Sequence, residues 1–351
     1  MILTCTEANN NVVSNAIICR YSVVKYQRCF DIIASVCHQP ITNYLIMKED
    51  LNIPMGRLLP LLILLFTLNT GPLFAQDSDQ SLLWEISGNG LEEPSYLFGT
   101  FHLLQDEFLE TKPVVLQKFH ASEQVMVEVE IDSSKMQQLA MMAFMQDDRI
   151  SNHLTEEQQT LLSDVLVSLM GVGLPQVDRI KPMALSATIS LLQYQMLLGE
   201  EMTKYEGEPI DQWFVSEGKR SGKELVFFET MEQQMDLIFN SMPVSEQADL
   251  LIGYLEDEEE TNALIRRLFD CYMNEKTACL EQIGDDMYEE MPATTAFLDV
   301  RNENWMEQIP SRIQQIPGFI AVGALHLTGE QGLIEMLRRD GYSVEPVQTN
   351  P

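Results

Sequence analysis

Ser95-Tyr96-Leu97-Phe98-Gly99-Thr100-Phe101-His102, and its counterpart Phe319-Ile320-Ala321-Val322-Gly323-Ala324-Leu325-His326, decide the reading of this chain. Each is a short apolar run that stops at Gly-x-x-His. A run of about four apolar residues closed by glycine reads as a buried strand. Glycine at that point lets the backbone turn, or lets another group approach closely. The histidine then falls just beyond the strand, where open α/β sheets collect their ligands. Two histidines presented alike from opposite ends of the chain suggest one shared site, with two unrelated loop histidines as the plain alternative. Histidine is the commonest metal ligand and a general base near neutral pH.

Working outward, Leu82–Ser87 is a second strand candidate, joined to Ser95–Phe98 through the turn-rich Gly88-Asn89-Gly90-Leu91-Glu92-Glu93-Pro94, which predicts a hairpin. Pro113–Ala121 reads as a helix. Val125–Asp132 alternates strictly, which puts Met126, Glu128, Glu130 and Asp132 on one face. That face is either a solvated edge or the carrier of a carboxylate aimed at the strand-end crevice. Ser133–Tyr205 is helical in character and predicts a lid or insert over the sheet, its methionines read as core filler. Lys223–Phe228 is a further strand running into Glu229-Thr230. That places Glu229 either at the same crevice or in the first turn of a helix, where acids are favoured. Helices follow over Gln233–Ser241, Leu250–Gly284, Phe297–Ile309 and Gly329–Arg339, with the acidic block Glu256–Glu260 as a solvated turn and Tyr342–Val347 as a last strand. The whole predicts a single mixed α/β domain: a central mixed sheet, helices packed around it, and a helical insert.

Composition narrows the function. The 351 residues carry a formal net charge of -31. Nucleic acid and anionic membrane surfaces need a basic patch, so the charge argues against both as partners. Met55–Ala75 has a charged start, an apolar run over Leu58–Phe66 and a small residue at Ala75, the pattern of an export signal cleaved near Ala75. The run is too short, and too interrupted by Pro60, Asn69 and Pro72, for a stable membrane span. Residues 1–54 then read as a non-native, disordered extension ahead of the true start at Met47 or Met55. Downstream, Cys271 and Cys279 are the remaining cysteines; eight residues of straight helix span about 12 Å, beyond disulfide reach. They pair only if the chain turns near Asn274-Glu275-Lys276, and otherwise stay free thiols.

Taken together, several stretches resemble the TraB/GumN family, which also includes the Tiki metalloproteases. They are Trp84–Gly88 with Ser95–His102; Val127–Glu130; Ile210–Phe214; Phe228–Gln234; Arg301–Trp305; and Val322–Gly329 with Gly332-Leu333 and Gly341-Tyr342. Their order and spacing carry the likeness over residues 80–348. The resemblance implies a divalent-metal site (manganese, cobalt or zinc) with His102 and His326 as ligands. It implies Glu128 as third ligand or general base, Glu229 as the other candidate base, and Arg301 as the group holding a substrate carboxylate or oxyanion. The implied activity is metal-dependent hydrolysis of a peptide or small molecule; the competing reading is an exported binding or regulatory module without turnover. A third keeps both histidines structural. Phe227 and Pro209 depart from the family's usual glycines and are expected to narrow the pocket. No His-Glu-x-x-His helix and no Gly-x-Ser-x-Gly elbow occurs in the chain.

Overall fold

The computed structural model describes residues 80–130, 134–135, 139–290 and 294–350. The extension, the export signal, Asp132 and Met136 lie outside the described residues. Six strands, β1 (Leu83–Gly88), β2 (Ser95–Thr100), β3 (Gln124–Val129), β4 (Glu224–Glu229), β5 (Gly318–Gly323) and β6 (Tyr342–Val347), form one mixed sheet in the order β4-β3-β5-β2-β1-β6. β2, β5, β3 and β4 run parallel, and β1 runs against both β2 and β6. The carboxyl ends of the four parallel strands therefore lie along one edge, at Thr100, Gly323, Val129 and Glu229. The predicted hairpin forms: Gly88, Asn89 and Gly90 all take positive φ, and the Leu91 amide donates to the Gly88 carbonyl at 2.9 Å.

Parallel strands are covered on both faces and so read as near-continuous apolar runs. Every residue of β2 and of β5 is buried. One face turns Phe98, Val127 and Phe319 toward Phe119 of α1 (Pro113–Ala121), Phe214 of α4 (Ile210–Arg220) and Tyr272 of α7 (Glu258–Met273). The other turns Leu97, Met126 and Ile320 toward Trp305 of α9 (Asp299–Met306) and Leu337 of α10 (Leu333–Arg339). A third cluster packs α2 (Glu156–Met170), α3 (Pro182–Met202) and α6 (Val244–Glu256) through Leu162, Leu185 and Leu251.

Several expectations need correction. β3 ends at Val129 and lies between helical layers, so its alternation selects one of two buried faces rather than a wet and a dry one. Glu128 is only 6% exposed, whereas Glu130, beyond the strand, is solvated and pairs with Lys219 at 2.7 Å. Residues 139–153 hold short 3-10 turns rather than a long helix. Met141 and Met196 face solvent, so the methionines are not uniformly core. The acidic block is no plain turn: Asp257 caps α7 by accepting the Glu260 amide at 2.9 Å, and Glu258, Glu259 and Glu260 form the first turn, where the helix dipole favours negative charge. The chain does turn between the cysteines. α7 ends at Met273, Glu275 takes φ 54°, α8 (Thr277–Glu290) begins, and Cys271 pairs with Cys279 across a Cα separation of 5.9 Å.

At Gly99 a Cβ atom would lie 3.0 Å from both Cα and Cβ of Ala324. The first motif's glycine thus gives way to the second motif's backbone. Gly99→Ala is expected to lower unfolding free energy by about 1–3 kcal/mol, the usual cost of overpacking. Gly199→Ala, inside α3 with open space around it, is expected to be neutral or stabilising. Denaturant titration of both variants checks this; equal stability of the two removes the close-approach account.

Candidate functional site

The strand-end edge gathers the two Gly-x-x-His motifs because β2 pairs in parallel with β5, Thr100 opposite Gly323. A Cβ atom on Gly323 would lie 3.4 Å from Nε2 of His102 and 3.4 Å from Oε1 of Glu128. Each motif's glycine is therefore the floor on which a group from elsewhere rests. The Gly323 amide donates to Glu128 Oε1 at 2.7 Å, and this fixes that carboxylate at the centre of the crevice.

Both imidazoles are aimed by a partner on Nδ1. His102 Nδ1–H donates to Asp211 Oδ2 at 2.8 Å, and Thr100 Oγ donates to Asp211 Oδ1 at 2.5 Å. His326 Nδ1–H donates to Asn302 Oδ1 at 2.8 Å, and Asn302 is held in that orientation by donating its amide to the carbonyls of His326 and Gln331. Each ring thus turns Nε2 toward the crevice. His326 is buried against Trp305, ring centroids 4.4 Å apart.

Arg301 of α9 stands in the middle. Its guanidinium lies over the Trp305 ring, 4.7 Å from the centroid, and Nη2 pairs with both Glu128 and Glu229. Nε donates to Glu229 at 3.0 Å, and Nη1 donates to His326 Nε2 at 3.0 Å and to the Phe297 carbonyl at 3.3 Å. Gln234 bridges the two glutamates at 3.5 and 3.3 Å. Among the described residues no three His, Cys, Asp or Glu side chains are grouped around one cation position. The guanidinium takes up the space between Glu128, Glu229 and His326.

The groups titrate far apart. The carboxylate of Asp211 raises His102 to about 9, against the opposing effect of the crevice's burial; 54% of its side chain remains exposed, so water still screens that pair. Burial drives His326 down to about 3, reinforced by the positive charges of Arg301 and His102. Burial would raise Glu128, but Arg301, both histidines and the Gly323 amide outweigh it and hold it at about 2. Burial raises Glu229, helped by the charge of Glu128, with Arg301 opposing.

A family model for the TraB/PrgY/gumN family matches residues 82–346. The chain belongs to that family. The matched span opens beside β1 and closes inside β6, so it takes in the sheet up to Pro346 and every residue just described. No curated protein and no solved structure matches the chain.

The structure brings His102, Glu128, Glu229, Arg301 and His326, the residues read from the sequence, to one crevice. It also supplies members that reading left without a role. Asp211, Asn302 and Gln234 sit inside the stretches that carry the family likeness, which is the signal available for them; Thr100 sits inside the first motif. Phe227, expected to narrow the pocket, packs with the apolar cluster on the α1 side of the sheet, and Pro209 forms the N-cap of α4. Neither lines the cavities that border Arg301.

In the metal-free chain, His102 is expected to keep its proton at neutral pH and lose it as pH rises through about 9. His326 is expected to stay neutral down to about pH 4. Asp211→Asn removes the charge that raises His102, so its pKa is expected to fall from about 9. Imidazole nitrogen shifts followed by NMR against pH read all three; two histidines both titrating near 6.5 contradict the tethering described.

Proposed function

We propose that this TraB-family chain is an exported metal-dependent hydrolase acting on peptides. The observation that carries this reading is the paired tethering. Asp211 and Asn302 hold Nδ1 of the two imidazoles, so both Nε2 atoms face a crevice beside an ionised carboxylate. Histidines that bind metal are commonly oriented by such a partner on the other ring nitrogen. Two imidazoles and a carboxylate suit manganese, cobalt or zinc and leave coordination positions free. His102, His326 and Glu128 would hold the ion, with Arg301 Nη1 yielding its place on His326. The cation, when bound, supplies Lewis acidity and brings water toward ionisation at neutral pH.

The surrounding residues divide the remaining work. Glu128, kept ionised by Arg301 and the Gly323 amide, is a poor proton acceptor and a good anionic anchor. Glu229, raised by burial and by its neighbour's charge, is the group to accept a proton from water and return it to the leaving amine. Arg301 pairs with both carboxylates and offsets their mutual repulsion, which in a buried site would otherwise be costly. Its donors are already engaged, so holding substrate or an oxyanion requires it to exchange a partner. The Cys271–Cys279 disulfide supports the exported reading, because disulfides persist in oxidising compartments. No helix among the described residues is long and apolar enough to cross a membrane.

The second reading, a metal-binding or regulatory module without turnover, draws on the same arginine, since it occupies both candidate bases. One set of variants separates the two. His102→Ala and His326→Ala are each expected to cut bound metal at least about tenfold, by elemental analysis, with circular dichroism unchanged. Glu229→Gln is expected to keep its metal and to lose about a hundredfold or more of chelator-sensitive peptide hydrolysis. Equal metal in wild type and both histidine variants removes the hydrolase reading; loss of metal in those variants without any turnover in the wild type selects the binding module.

A further inference from the structure

One cavity, of about 1360 Å³, opens between α3, α6, α7, α8 and α5 (Met231–Asn240). It exceeds the usual 300–1,000 Å³ of small-molecule pockets. Its inner end is formed by Arg301, Gln234 and Leu325, so it runs from the crevice outward. Its wall is mostly apolar, with Leu237, Leu264, Leu268 and Met287 the side chains that matter below. Its outer part carries four exposed acids, Glu246, Asp249, Asp257 and Glu260. Among the described residues lining it, Arg301 is the only basic one, and its donors are already taken.

Those features select a ligand. An anionic headgroup meets four carboxylates on a chain of formal net charge -31 and is repelled. An apolar body gains from leaving water, by roughly 25 cal/mol per Å² covered. A basic group at the outer end meets the acids. Polar side chains within the wall, Ser186, Ser241 and Gln234, offer partners to main-chain amides that an all-hydrocarbon cavity would strand. We propose that this cavity is the substrate channel of the crevice and takes an extended peptide of apolar residues whose basic residue lies among the acids at its mouth. The position of any cut rests on the hydrolase reading; the binding does not.

The test measures binding without turnover, by titration calorimetry at low salt, using the full chain carrying His326→Ala. The probes are acetyl-Lys-Leu-Leu-Ala-Leu-Leu-amide and the same peptide with Glu in place of Lys. The lysine peptide is expected to bind at least about tenfold tighter, a difference of about 1.4 kcal/mol. Adding Glu246→Gln with Asp249→Asn is expected to reduce that preference to less than about threefold. Adding Leu264→Trp or Leu268→Trp fills the channel and is expected to weaken both peptides at least about tenfold; two positions are used so that one misfolded variant does not decide the matter. Equal affinity for the two peptides overturns the proposal. So does binding untouched by both tryptophan variants, and so does binding of dodecylammonium with no binding of either peptide, which would make the occupant a simple amphiphile. A lysine peptide that binds as expected yet is left intact by the metal-loaded wild type refutes the hydrolase reading and leaves the channel standing. Hydrolysis at the same rate in wild type and in both tryptophan variants does the reverse.

Discussion

The parallel pairing of β2 with β5 is the constraint on which the rest depends. With Thr100 opposite Gly323, the loops that follow leave the sheet side by side, and His102 and His326 descend into one crevice although most of the chain separates them. The pairing works at that distance only because both motifs end in glycine. Gly99 admits the backbone of Ala324, and Gly323 leaves room for His102 and Glu128 together. A strand slipped by one residue would send every side chain of β5 to the opposite face. Phe319 and Ile320 would then exchange layers, and both apolar clusters would have to be rebuilt. Burial on two sides thus protects a register whose consequence lies at the strand end.

Within the crevice the charges are arranged so that no group stands alone. Glu128 and Glu229 approach each other across adjacent parallel strands, an arrangement that burial alone would make unfavourable. Arg301 answers both, and the ring of Trp305 supports its guanidinium face. Removing one partner from such a buried set leaves an uncompensated charge and costs about 3–5 kcal/mol, whereas keeping the set intact adds little net stability. An arrangement costly to break and weak in net stabilisation is better explained by what it positions than by what it stabilises. What it positions is one carboxylate held firmly ionised beside another whose proton affinity is raised.

Much of this was legible in the sequence for physical reasons that can be named. Ser95–Phe98 and Phe319–Val322 read as buried strands because parallel strands need apolar residues on both faces, and they are that. The turn between Cys271 and Cys279 was left open: eight straight helical residues exclude a disulfide, so the pairing needed a break that only the structure supplies. Glu128 was half legible: its alternation was plain, but whether its face met water depended on α9 and α10 covering it, which no local pattern records. The tethers lay inside family-like stretches, but their role was not legible. Asp211 and Asn302 act through ring orientation, and orientation is set by elements more than a hundred residues from His102 and twenty-four from His326. Residues 139–153 misled because leucine, methionine and glutamine favour helix locally, while the chain there is held by contacts such as the Phe144–Ile180 bridge.

The first motif is also held from the side of the sheet that α7 covers. Tyr272, buried beneath the sheet, donates its hydroxyl to the Gly99 carbonyl at 3.0 Å, and its ring packs against Phe101 with centroids 5.2 Å apart. Those two contacts bracket Thr100 and precede His102 directly. Tyr272 is in turn neighbour to Cys271, whose disulfide joins the end of α7 to the start of α8. α7, one of the helices that line the large cavity, therefore also braces the backbone carrying a crevice imidazole. α7 bears on the strand end through Tyr272. Loosening the α7–α8 junction would disturb the cavity wall and the aim of His102 together, because one tyrosine serves both. The three-residue junction is held besides by Glu275, which pairs with Lys112 and accepts from Thr349, so the cross-link and these contacts fix it together.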